Sequence, residues 1–197
     1  MFSMSILEKS ASSASKPAFE HGECYPAMIA GIWTARGSWQ SDAFDGIALL
    51  FLVKDDNGNV VPRASKFIKF YGGYNVFNGK TAYAQLMCGL LGKVCEGEVL
   101  KKAVIDAGFA DLGALVGTPC TVRMGVKTSG YAVISDVLGA TPRRPGLTKE
   151  ELPATLEVDL ARVFGKFIEI PDTSDGKWLD LIKIAAKDRI NASDVPF

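Results

Sequence analysis

The residues of this 197-residue chain whose types and spacing could do chemistry are concentrated in Lys66-Phe67-Ile68-Lys69-Phe70-Tyr71. In an extended strand, side chains alternate, so Phe67, Lys69 and Tyr71 share one face and Lys66, Ile68 and Phe70 the other. An aromatic, basic, aromatic face suits a single polynucleotide strand. Bases stack on rings at about 1 to 3 kcal/mol each whatever their identity, and interleaved lysines track the phosphates. Arg63 lies just upstream, and no acidic residue stands between Asp56 and Tyr74. A second alternating stretch adds Thr121, Arg123 and Lys127 on one side, within a carboxylate-free segment from Leu112 to Ser135. Trp33, Arg36 and Trp39 contribute further rings and charge. The same residues admit another reading, in which the aromatics are core and the lysines mark a solvated edge that discourages strand-to-strand aggregation. Spacing alone does not choose between the two.

Catalytic constellations are not evident. The single histidine, His21, lies at the border of a Ser/Ala-rich leader and reads as a solvated loop residue. Asp55-Asp56 occupy a turn and Glu150-Glu151 a charged segment, neither framed by metal ligands. Cys24, Cys88, Cys95 and Cys120 form no C-x-x-C pair, so they read as reduced thiols of a cytoplasmic protein, with Cys88 and Cys95 in the core. Gly79-Lys80-Thr81 would suit a phosphate-binding loop, but that motif needs a glycine where Tyr74 stands, and Gly73 makes the loop one residue too long. The expectation is no catalytic residue, no metal, no cofactor and no enzymatic activity.

The formal net charge is zero, which excludes coating of nucleic acid by bulk basicity and leaves only a local cationic stripe for phosphates. No apolar stretch approaches the roughly 20 residues that span a bilayer, so no membrane association is expected. Positioning the candidate residues falls to a short series of elements. Residues 1–22 read as a flexible leader. Strand one runs from Tyr25 to Arg36 with a bulge or bend at Gly31. Strand two, Phe44 to Lys54, holds the run Ile47 to Val53, too continuous for a half-solvated strand and suited to burial on both faces. A hairpin turn at 55–59 leads into strand three, ending at Tyr71.

Helices are predicted over 80–91, 98–107 and 111–116, closed by Gly92, Gly108 and Gly117. Two strands follow, 120–126 and 131–135. Three strands, a helical insert and two strands is the element order of the five-stranded OB barrel, so residues 23–140 are predicted to be a mainly β OB-fold domain. Residues 141–190 read as a basic linker and a helical extension, with a helix over 177–190 capped by Ser174 or Asp175. The extension would pack on the barrel or on a second subunit, which leaves a homo-oligomer open.

Residues 191–197 end in Asp194-Val195-Pro196-Phe197. This resembles the C-terminal tip of bacterial single-stranded DNA-binding proteins, which closes on Asp-Ile-Pro-Phe. Asp194, Pro196 and Phe197 match, Val195 replaces Ile, and several acids usual in that tip are missing. A ring and carboxylate offered together, with Pro limiting the entropy lost on docking, would be captured by a pocket with Arg at its lip. The body, Cys24 to Leu138, is similar to the single-stranded DNA-binding proteins of tailed phages in Trp33 to Arg36, in Lys80-Thr81 with Leu86 and Leu90, and in Leu115-Val116-Gly117 before Cys120. The resemblance implies an OB fold, sequence-independent coating of single strands in phage replication or recombination within the host cytoplasm, and recruitment of replication and repair proteins by the tip. The rival expectation is an interaction protein that borrows the tip and touches no DNA.

Overall fold

The computed structural model describes residues 19–39, 42–64, 68–69, 75–128, 131–164, 168–169 and 176–185, and in 37–39, 42–44 and 168–169 the backbone alone. The strands are β1 (Cys24–Trp39), β2 (Asp42–Lys54), β3 (Val60–Ala64), β4 (Ile68–Lys69), β5 (Pro119–Val126), β6 (Ala132–Gly139), β7 (Leu156–Val158), β8 (Ile168–Glu169), β9 (Lys177–Trp178) and β10 (Ile182–Ile184). The helices are α1 (Ala82–Leu91), α2 (Gly97–Asp106) and α3 (Leu160–Phe164), with 3-10 turns at Leu112–Leu115 and Lys149–Glu151. The protein is mainly β, an antiparallel sheet in the order β3-β2-β1-β5-β6, with β4 paired to β2 and β8 and β9 paired to β1.

Local chemistry explains most boundaries. The β2–β3 turn is held by the buried Asp55 carboxylate, which accepts from the backbone N–H of Asn57 (3.0 Å) and Asn59 (2.8 Å), while Gly58 takes a φ of 81°. Thr81 caps α1, its hydroxyl accepting from the Ala84 N–H at 3.1 Å, and Gly92 ends the helix in the left-handed region. Asp111 caps the first 3-10 turn. Thr148 and Glu151 form a capping box around the second.

Both faces of β2 are buried. Leu49, Phe51 and Val53 face one core with Tyr25, Ile29, Leu86, Met87, Leu100, Cys120 and Met124. Leu50 and Leu52 face a second core with Met28, Trp33, Leu147, Val158, Leu160 and Ile182. Complete burial of such side chains contributes about 1.5 to 3 kcal/mol each. A bulge sorts β1 between the two cores. Register slips between Ile29 and Gly31, so Ala30 is the extra residue, and from there Ile32 faces the first core and Trp33 the second. Without the bulge, strict alternation would exchange them.

Two expectations are corrected. The sheet is not a closed barrel: β3 and β6 approach within 8 Å, Cα to Cα, but no ladder joins them among the described residues. Pro62 has no N–H to give on β3, and α1 packs on β6 backbone to backbone. The extension, moreover, is not the expected helix over 177–190; residues 186–190 lie outside the described residues, and 177–184 form β9 and β10. Trp178, Leu181, Ile182 and Ala185 do recur at helical spacing. Yet β5 pairs only with Cys24 to Met28 of β1, leaving backbone groups farther along that edge to be satisfied. Lys177 and Trp178 pair there with Ile32 and Gly31, Glu169 and Ile168 pair with Arg36 and Gly37, and β10 pairs in parallel with β7. The extension thus covers the β1–β2 face opposite α1.

Candidate nucleic-acid interface

The structure separates the predicted binding residues into three groups. Trp33 is a correction. It is 1% exposed, stacked on Trp178 and edge-on to Phe164 with centroids 6.0 Å apart, so its ring has no face left for a base. The bulge at Ala30 directs it into the second core rather than the first. Arg36 and Arg123 are exposed but neutralised. The Arg36 Nε donates to Asp45 at 3.2 Å, and an Arg123 N–H donates to Asp136 at 3.5 Å across the paired strands β5 and β6. Both ion pairs sit in water and contribute little to stability, yet a phosphate would have to compete with a carboxylate for each guanidinium.

The second group is Arg63, Lys69 and Lys127. Arg63 is half-buried on the β3 edge, its guanidinium 5.4 Å from the centroid of the Phe19 ring, with one N–H given weakly to the Pro62 carbonyl at 3.4 Å. Its Nε is buried without a hydrogen-bond partner among the described residues. Burial lowers the Arg63 pKa from its ordinary value; Tyr131 and Asp55 oppose that effect, and Arg162 adds to it. Lys69 is half-buried on β4 opposite Gly46 and engages a neighbour. Lys127 is exposed just beyond β5, its N–H bonded to the Tyr131 carbonyl at 3.0 Å. The third group, Lys66, Phe67, Tyr71 and the tip Asp194, Val195, Pro196 and Phe197, lies outside the described residues, as does the side chain of Trp39.

Sequence reading missed Tyr131 and Arg162. Tyr131 is 53% exposed at the mouth of the β5–β6 hairpin, and Arg162 is exposed on α3; both lie within electrostatic reach of Arg63. For Tyr131 a signal existed: it alternates with Ala132 and Ile134, which are buried, and so must face outward. Arg162 carried none, since its approach to Arg63 depends on the extension crossing the sheet.

The remaining chemical candidates find local employment. The Nδ1 of His21 accepts from the Val126 N–H at 3.1 Å. Around Gly79-Lys80-Thr81, the Gly79 N–H is already bound by the Glu96 carboxylate at 3.2 Å, and the Thr81 hydroxyl donates to the Val76 carbonyl at 2.6 Å. No cluster of three or more metal-ligating side chains occurs among the described residues, and no helix there is long and apolar enough to cross a membrane. Away from the seam, an open cleft of about 680 Å³ lies between the end of α1 and α2, lined by Leu91, Val94, Cys95, Val99 and Lys102. No family model, curated protein or solved structure matches the chain.

Proposed function

We propose that this protein binds single-stranded DNA without regard to sequence, in the replication or recombination of a phage genome, on an opened OB-type sheet. The order β3-β2-β1-β5-β6 with helices between β4 and β5 is compatible with an OB barrel opened between its third and fifth strands, which supports this reading. In that scheme the β5–β6 turn, carrying Lys127 and Tyr131, corresponds to a loop that flanks the oligonucleotide in OB folds. The observation that carries the reading is Arg63: a guanidinium on β3, beside an exposed tyrosine and a second arginine, that makes no ion pair with a carboxylate among the described residues, though Asp55 lies within electrostatic reach. Phosphate can take the outer N–H groups of the guanidinium, the buried Nε excepted, while a base stacks on Tyr131. The tip at 194–197 would recruit replication and repair proteins.

Titration of labelled poly-dT at increasing salt tests this. Affinity should fall linearly on a log–log plot, with a slope of about 0.7 per phosphate contacted, and Arg63→Gln should flatten it. Weak binding indifferent to salt would falsify the reading.

A second reading, an interaction protein that uses the tip and holds no DNA, is favoured by the neutralisation of Arg36 and Arg123 and by the zero net charge. Deleting residues 195–197 distinguishes them: partner capture lost with DNA binding intact supports the first, and full-length protein that captures partners without ever binding DNA supports the second.

A further inference from the structure

Beyond the seam, one pair of nucleophilic side chains is brought together by a helix end. At Gly92 the chain leaves α1 in the left-handed region with a φ of 62°, and the Lys93 N–H bonds back to the Cys88 carbonyl at 3.1 Å. This reversal lays Cys95 against Cys88. The Cys88 thiol donates to the Cys95 carbonyl at 3.1 Å, which makes the two residues direct neighbours, and burial, the larger cause, together with Cys88 raises the pKa of the Cys95 thiol. Both are half-buried, whereas Cys120 is fully buried in the core. Cys95 also lines the open cleft between α1 and α2, so a small molecule can reach it from solvent.

Packing alone explains a cysteine as a small apolar residue. It does not require two cysteines to be direct neighbours, one of them lining an open cleft. We propose that Cys88 and Cys95 form a reversible dithiol–disulfide couple in the folded protein, oxidised by a small disulfide such as oxidised glutathione.

The Cys95 thiolate attacks one sulfur of the oxidant, forming a mixed disulfide and expelling one glutathione thiolate. The Cys88 thiolate then attacks the Cys95 sulfur, expelling the second. Two protein thiols are oxidised, one glutathione disulfide is reduced to two thiols, and the two protons leave with the glutathione. The bond ties the last turn of α1 to the segment entering α2 and stiffens one wall of the cleft. Thiol–disulfide exchange in the opposite direction restores the dithiol.

The test uses the full chain under native conditions with oxidised glutathione, followed by intact mass measurement and tryptic mapping. Because Lys93 lies between the two cysteines, the expected product is residues 81–93 joined to 94–101 by a reducible link, with the intact mass lower by two hydrogens. Cys88→Ser should instead retain one glutathione on Cys95. Stable glutathione on both cysteines of the unsubstituted protein, a link to Cys24 or Cys120, or unreacted thiols would each overturn the proposal. None of these outcomes depends on DNA binding.

Discussion

Trp33 and Trp178 stack with ring centroids 5.7 Å apart and planes 19° from parallel. The contact is made possible by Gly176, where an added Cβ would land on the Trp33 indole. It joins the first strand of the sheet to the extension laid across it.

Removing that anchor should therefore cost global stability. Trp33→Ala is expected to lose about 3 to 5 kcal/mol, the range for truncating a buried aromatic, measured by urea denaturation. A loss under about 1 kcal/mol would mean that the extension is not held to the sheet by this stack.

The contact of α1 with β6 makes a different prediction. A Cβ on Gly89 would meet the Val137 carbonyl oxygen, and one on Gly139 the Leu90 carbonyl oxygen. Gly89→Ala would ordinarily stabilise a helix interior by about 1 kcal/mol. Here backbone must move, so a net loss of about 1 to 3 kcal/mol is expected, read as a lower thermal midpoint.

Tyr131 separates binding from folding. Its exposure predicts that Tyr131→Ala changes stability by no more than about 0.5 kcal/mol. If a base stacks on the ring, the same variant loses about 1 to 3 kcal/mol of poly-dT affinity. Unchanged affinity would remove Tyr131 from the interface.

Alkaline pH should weaken the fold through Cys120. Burial raises its pKa from 9.0 to about 12, so between those values the unfolded chain has released a proton that the folded chain retains. Stability is intact below about pH 9 and declines as pH rises toward 12. Tyr25 and Tyr83, both raised chiefly by burial, act in the same direction. Denaturation midpoints across this range check the sign, and Cys120 should resist thiol reagents until the protein unfolds.

The turn carboxylate is the last test. Asp55→Ala would strip the Asn57 and Asn59 amides of their acceptor, for an expected loss of about 1 to 3 kcal/mol. Asp55→Asn, which keeps one acceptor oxygen, should recover part of it.

What the sequence determined by itself was local. The turn at Asp55 to Asn59, the end of α1 at Gly92, and the two-sided burial of Ile47 to Val53 follow from interactions among neighbouring residues or from simple apolar density, and these stand in the structure, where α1 starts at Ala82 after its Thr81 cap rather than at Lys80. Tertiary structure decided which way side chains point and what they meet. One extra residue in β1 reversed the facing of Trp33, an effect of register that composition does not encode. The edge of β1 beyond β5 drew Lys177 and Trp178 into a ladder against their helical spacing, because unpaired backbone groups outweigh a weak periodicity. Arg123 met Asp136 because β5 and β6 pair in that register, and Arg63 came beside Phe19, Tyr131 and Arg162 because segments far apart in the chain converge on β3. Local preferences act over a few residues, whereas the partners that silence or free a charge are set by chain segments far apart in sequence.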